Sequence, residues 1–270
     1  MSLDNLIEIS WDEKEDGEST GVAILTLNEP TRKNALTVAM GEQFTDAVTQ
    51  IRQDARLRAV VLRGAGDAFS AGGDFQFLLE RTQKSPVENS AEMRQFYDRF
   101  LSVRSLPVPI IAAMHGPAIG AGLCLALACD MRICAEDAKL GATFVSLGLH
   151  PGMGATHFLP QIVGPQVAAR LLLTGEVILG WEAQRLGLVL ESLPTDAVIP
   201  RGLNLARQIA AQGPVAVRGC VRSLRNIQDQ HLENDLWREA DAQAHCYATA
   251  DLKAGLDAIR SREKPRFGNA

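Results

Sequence analysis

Residues 6–11 and 21–27 alternate apolar and polar positions or run in Val, Ile and Leu, with the acidic stretch 12–20 between them. That pattern predicts two strands joined by a turn. From Thr37 to Arg52 the period changes: Val38, Phe44, Ala47, Val48 and Ile51 recur on one helical face, and Thr37 is placed to cap its N-terminus. Short apolar runs at 59–62, 110–114 and 131–135 predict buried strands, and helices are expected at 75–81, 91–103 and 120–128, with a loop over 85–90. Further on, helices are expected at 156–162, 165–173 and 181–186, with a short strand at 188–192. The two prolines of 194–200 suggest a hinge, beyond which 202–211, 215–227, 232–248 and 252–261 all carry helical periodicity. The layout is α/β: a strand-helix core over residues 1–195 and an all-helical end over 196–270.

Residues 105–129 hold no Asp, Glu, Lys or Arg, a length that would span a bilayer. Three prolines, three glycines and His115 interrupt the run, so a buried strand, turn and helix explain it better. A charged fraction of 22% is that of a soluble globular domain, and a net charge of −5 without a basic run argues against nucleic acid as a partner. No basic and apolar leader opens the chain, and the cytoplasm is the expected location. Cys124, Cys129 and Cys134 are spaced by five, which turns about 140° per step on a helix, so they share no face and no metal site is expected. Reduced, buried thiols are the default.

The chemistry lies in two glycine-rich turns that each follow an apolar run: Phe69-Ser-Ala-Gly-Gly-Asp74 after 60–62, and His115-Gly-Pro-Ala-Ile-Gly-Ala-Gly122 after 110–113. Glycine allows tight turns and close approach to the backbone. The second turn runs straight into a helix, whose first N–H groups lack intrahelical partners. Two such turns side by side would offer two N–H donors to one carbonyl oxygen, the arrangement of an oxyanion hole. A Rossmann reading fails on spacing, because Gly116-x-x-x-Gly120-x-Gly122 is not G-x-G-x-x-G, and the G-x-S-x-G of serine hydrolases is absent.

These turns, in this order, resemble the crotonase (enoyl-CoA hydratase/isomerase) superfamily. Supporting stretches are Pro30-Thr-Arg-Lys-Asn-Ala-Leu36, Asp130-Met-Arg-Ile-Cys-Ala135, Gly148-Leu-His-Pro-Gly-Met-Gly154 and the tail around Arg260–Phe267. The resemblance implies a crotonase-type spiral of strand-helix repeats with a C-terminal helical trimerisation region. It also implies an acyl-CoA substrate, no cofactor beyond the coenzyme A of that substrate, and a homo-trimer or dimer of trimers. The matching hole donors are Gly73 and Ala121. Arg32, Lys33 and Ala35 fall in the loop near the CoA, Ala71 and Gly73 offer backbone atoms to its adenine and thioester ends, and Gly72, Asp74, Gly120 and Phe144 complete the substrate-binding set. Asp74 and Asp130 match positions that accept backbone hydrogen bonds, and His115 matches a backbone-holding Asn.

Hydratases of the superfamily use two glutamates around one water. Their positions hold Cys124 and Phe144 here. His150, six residues past Phe144, is the expected acid/base in their place, with His157 second and Cys124 a weaker candidate. Glu80, Glu92 and Tyr97 stand on or near the helices after the first turn, where solvated faces explain the acids. Three readings follow: an enoyl-CoA hydratase/isomerase-like enzyme working through an enolate, a decayed CoA-thioester-binding subunit, and a crotonase-fold acyl-CoA hydrolase.

Overall fold

A computed structural model describes residues 5–268. Strands β1 (Ile7–Glu13) and β2 (Ser19–Leu27) form an antiparallel pair in which Ile7 faces Leu27. Helix α1 (Val38–Gln53) follows, with the Thr37 side chain accepting from Met40 N at 3.1 Å as its cap. Its buried face holds Phe44, Ala47, Val48 and Ile51 of the stripe read from the sequence, with Met40 buried in place of the half-buried Val38. Strand β3 (Ala59–Gly64) then pairs parallel with β2, and β4 (Ile110–Met114) pairs parallel with β3. Between them run α2 (Phe75–Arg81) and α3 (Pro86–Leu101). After β4 come a short β5 (Ala118–Ile119), α4 (Ala121–Leu127), β6 (Met131–Ala135) and β7 (Lys139–Gly141). A 3-10 turn over Thr143–Leu147, α5 (Ala155–Val163), α6 (Pro165–Thr174), β8 (Ile178–Leu179), α7 (Gly180–Arg185) and β9 (Glu191–Leu193) complete this part. The chain ends in α8 (Thr195–Ala210), α9 (Pro214–Gln228), α10 (Leu232–Tyr247) and α11 (Ala250–Ser261).

The main sheet has six strands in the order β1-β2-β3-β4-β6-β9, parallel except for β1. β3 and β4 are buried almost throughout, because helices cover a parallel sheet on both faces and leave it no polar side. The second sheet, β5-β7-β8, consists of strands of two or three residues. Runs that short show no period, and the sequence reading contains none of them.

Three sequence expectations need correction. The expected loop at 85–90 is the first turn of α3. Ser85 and Glu88 form a reciprocal capping box and Pro86 takes the first helical position, where its missing N–H costs nothing. The expected hinge at 194–200 is helix: α8 starts directly after Pro194 and carries Pro200 inside it. Its small buried residues Val198, Gly202 and Ala206 lay it across β2, β3, β4 and β6, and that packing outweighs the one hydrogen bond that Pro200 removes. The expected strand at 188–192 begins three residues later, at Glu191.

An ion pair ties the helical end to the sheet. Arg225 of α9 donates to both oxygens of Asp130 at 2.8 and 2.6 Å and to the carbonyls of Arg104, Leu106 and Val108. Asp130 also accepts from Ile110 N, the first residue of β4, at 2.8 Å. Both side chains are largely buried, so removing one strands the charge of the other. Arg225→Ala is expected to lower the unfolding free energy by about 3–5 kcal/mol, as measured by urea denaturation.

Candidate active site

β3 and β4 are parallel neighbours, so the loops leaving their C-terminal ends emerge side by side. Those loops carry the two glycine-rich turns. The Pro117 carbonyl accepts from Phe69 N and Ser70 N at 3.1 and 3.0 Å, and Ser70 returns its carbonyl to Ile119 N at 3.0 Å. Ser70 and Ala118 form an isolated parallel bridge, and Leu36 and Gly73 form another. Gly72 has φ +92°, and a Cβ there would lie 2.4 Å from the Ile119 carbonyl oxygen. Only glycine permits this contact, which brings the turn against the N-terminus of α4.

Two donors are left over. The bridge uses Leu36 N to Gly72 O at 2.7 Å and Asp74 N to Leu36 O at 3.2 Å, passing over Gly73 N. Gly120 N donates to Gly141 O at 2.8 Å, while Ala121 N, the first of α4, has no partner one turn earlier. Among the described residues neither the Gly73 nor the Ala121 N–H donates a hydrogen bond. Both residues, with Ala71, Gly72, Gly120 and Phe144, line one cavity of about 350 Å³. The rest of its wall is mostly aromatic and aliphatic, including Phe75, Phe77, Phe96, Leu149 and Ile259. No Asp, Glu, His, Lys or Arg is among its described wall residues.

The remaining sequence candidates lie around this cavity rather than on it. Lys33 O holds Ala71 N at 2.8 Å, which packs the 30–36 loop against the first turn, and the Ala35 side chain is buried there. Arg32 pairs with Asp74 and Glu29, so its charge is already met, whereas Lys33 makes no ion pair among the described residues. Asp74 caps α2, accepting from Phe77 N at 3.0 Å. His115 Nε2 lies 2.9 Å from Gly66 O. His157 is buried between Asp235 and the Gln228 carbonyl, away from the cavity wall.

His150, the expected acid/base, is not a wall residue. Its Nδ1 lies 2.6 Å from Pro151 O, and burial holds its pKa below the ordinary imidazole value. Cys124 is fully buried, and burial, reinforced by the Glu239 carboxyl, pushes its thiol far above the reactive range. Glu92 pairs with Arg81 and Lys84, and Glu80 faces Gln76.

The polar groups that do reach the wall are Thr143, Tyr97, Gln243 and Tyr247. Tyr97 O–H donates to Gln243 Oε1 at 2.7 Å, and Gln243 Nε2 donates to the His150 carbonyl at 2.7 Å. Gln243 and Tyr247 stand four residues apart on α10, one turn and two turns beyond the buried Glu239. That i, i+4, i+8 row was the available signal in the sequence, but it requires knowing that α10 folds back onto the cavity. Glu239 accepts from Gly154 N, Thr156 N and Thr156 Oγ1 at 2.6, 2.7 and 2.5 Å, capping α5 from another helix.

Burial outweighs those hydrogen bonds and raises the Glu239 pKa to about 7 from an ordinary 4.5. Between those values the folded chain keeps a proton that the unfolded chain releases. Stability from this group therefore falls as pH rises from about 4.5 through about 7. Glu239→Gln is expected to flatten that part of the curve of unfolding free energy against pH.

The family described as Enoyl-CoA hydratase/isomerase matches residues 17–270. Crotonyl-CoA hydratase of Syntrophomonas wolfei is 34% identical over 247 residues, covering 91% of this chain and 94% of that protein. The putative enoyl-CoA hydratase of Thermus thermophilus is 36% identical, covering 93% and 98%. The crystal structure of an enoyl-CoA hydratase/isomerase from Pseudoalteromonas atlantica superposes with a TM-score of 0.84 at 29% identity, covering 97% of this chain and all of that one. With both glycine-rich turns in place and a match along nearly its whole length, the chain belongs to the enoyl-CoA hydratase/isomerase family, the crotonase superfamily, and is an enzyme of that family.

Proposed function

We propose that the protein acts on an acyl-CoA thioester with an uncharged, apolar acyl group, and that it works through an enolate whose oxygen is held by the N–H groups of Gly73 and Ala121. The observation that carries this reading is the pair of unpartnered N–H groups on adjoining turns at one cavity wall. A thioester oxygen gains negative charge as the enolate forms, and preorganised donors stabilise that charge more than they stabilise the neutral carbonyl. The wall supplies no cation for an acyl carboxylate, and burying such a charge unpaired is costly. Lys33, without an ion pair among the described residues, is available to the CoA phosphates beside the first turn. The names of the relatives, crotonyl-CoA hydratase among them, point to enoyl-CoA hydration or isomerisation as the reaction class.

A binding subunit without turnover is the second reading. Phe144 and the buried Cys124 favour it, because neither can move a proton from where the superfamily's two glutamates stand. Leu224 and Ile227 of α9 expose most of their surface, which suits the self-association, as a homo-trimer or dimer of trimers, that the resemblance implies for the helical end.

Turnover by the parent protein separates the two readings, and Ala121→Pro tests the donor. Proline is tolerated at the first position of a helix, so α4 persists while the donor disappears. Hydration of crotonyl-CoA, followed by loss of enoyl absorbance, is expected for the parent protein and is expected to fall about 10²–10³-fold in kcat for the variant. Intact butyryl-CoA binding with no turnover by the parent would establish the binding-subunit reading instead.

A further inference from the structure

We propose that Met93 of α3 and Tyr247 of α10 close the inner end of the cavity and set the length of acyl chain it takes, so that its ligands are straight acyl-CoA thioesters of about four to eight carbons. The proposal deepens the acyl-CoA reading above and rests on it.

The cavity has an open side and a closed one. Ile259 is 49% exposed, and Phe75 and Leu78 are half-buried, so the side formed by α2 and α11 meets solvent. On the side formed by α3 and α10, Met93, Phe96, Tyr97 and Tyr247 are each exposed by 4% or less. A chain entering from the open side runs toward these two helices.

The helices meet there in two rungs. Tyr97 O–H donates to Gln243 Oε1 at 2.7 Å, and Tyr247 O–H donates to Met93 Sδ at 3.4 Å. Both steps are four residues, so the second rung lies one helical turn, about 5.4 Å, past the first. The first rung is tied to the His150 carbonyl, in the loop that follows Phe144. The same segment of chain begins at Gly141, whose carbonyl holds Gly120 N beside the Ala121 donor. The Met93–Tyr247 rung is therefore the one farther from the paired N–H groups, where the tail of a bound acyl group ends.

Behind this rung the fold resists a longer chain. Arg81 is 4% exposed, lies over the Phe77 ring at 4.7 Å and pairs with Glu92, the residue before Met93. Phe77 in turn stacks on Phe96 at 4.8 Å. A chain pushed past Met93 would have to part a buried ion pair, which leaves a guanidinium without its partner and out of water. Volume sets the length. An apolar cavity of about 150 Å³ holds one benzene ring, so one of about 350 Å³ holds on the order of a dozen non-hydrogen atoms. The thioester sulfur and oxygen and the start of the CoA arm take several of these, which leaves about eight carbons or fewer for the acyl group.

The test is the dissociation constant of butyryl-, hexanoyl-, octanoyl-, decanoyl- and dodecanoyl-CoA, measured by calorimetry on the parent protein, Met93→Ala and Met93→Phe. Saturated thioesters need no turnover, so the measurement stands whether the protein hydrates its ligand or only binds it. For the parent, affinity is expected to rise by about fourfold per methylene as far as octanoyl-CoA. Decanoyl-CoA is expected to bind about tenfold more weakly than octanoyl-CoA, because the two added carbons overfill a packed end wall. Met93→Ala removes the three outer heavy atoms of that wall, and decanoyl-CoA is then expected to bind at least as tightly as octanoyl-CoA. Met93→Phe fills the same end, and the preference for octanoyl-CoA over hexanoyl-CoA is expected to disappear. A parent protein whose affinity keeps rising through dodecanoyl-CoA overturns the proposal. So do length ratios that neither variant moves: a methionine that only packs α3 on α10 gives this result, since its loss weakens every length alike. A parent protein that binds none of the five overturns the acyl-CoA reading itself, and this proposal with it.

Discussion

The docking of two backbone turns at the ends of β3 and β4 is the constraint on which the site depends. Pro117 gives one carbonyl to both Phe69 and Ser70, and Ser70 returns its own to Ile119. These bonds are short-range, yet they fix Gly73 and Ala121 relative to each other although 48 positions of chain separate them. Parallel strands make this possible, because neighbouring strands that run the same way deliver their loops to the same edge. Any change that reverses or separates β3 and β4 would scatter the two donors, whatever side chains remained around them.

Side chains then divide the labour. Around the paired N–H groups the wall is mostly hydrocarbon, and the buried Glu239 carboxyl is turned to the cap of α5 rather than to the wall. A carboxylate at position 144 would meet no charged partner among the described wall residues and need a water or donor of its own. Phe144 removes that requirement and leaves the wall uncharged at this position. What remains polar is neutral at ordinary pH: two hydroxyls from tyrosine, one from threonine and one amide. The cavity can therefore donate hydrogen bonds and stabilise negative charge without carrying a fixed charge itself, and the low polarity around the donors strengthens them.

How much of this was legible in the sequence depends on the range of the interaction. α1, α2, β4 and β6 follow from local periodicity and capping, and they appear within a residue or two of their expected bounds. The two glycine-rich turns were legible because glycine marks a backbone requirement directly, here the φ of +92° at Gly72 and +54° at Gly120. Pro86 and Pro200 misled for the opposite reason: proline reads as a breaker, but at the first turn of α3 it suits the helix, and within α8 tertiary packing overrides it. His150 was singled out by residue type and sequence distance from Phe144. Sequence distance says nothing of direction, and its ring turns to Pro151 O while its carbonyl serves Gln243. Tyr97 and Gln243, 146 positions apart, could not be paired from the sequence at all.

That last pair changes the role of the helical end. α10 packs along α3, and its row of Glu239, Gln243 and Tyr247 reaches the α5 cap, the Tyr97 hydroxyl and the Met93 sulfur in turn. The cavity floor is thus assembled from a helix that the sequence divides from the strand-helix core. Arg225 of α9 anchors the same end of the chain to Asp130, beside the start of β4. The strand that positions one glycine-rich turn and the helices that position the polar wall are joined by this ion pair as well as by the packing of α8 on the sheet and of α10 on α3, so the hole and its polar neighbours share a single frame. Gln243 and Tyr247 reach the cavity wall only while α10 stays packed along α3, and effects of misplacement by an ångström in a site are steep. Rigid attachment of the helical end is therefore part of the site's geometry as much as of the fold's stability.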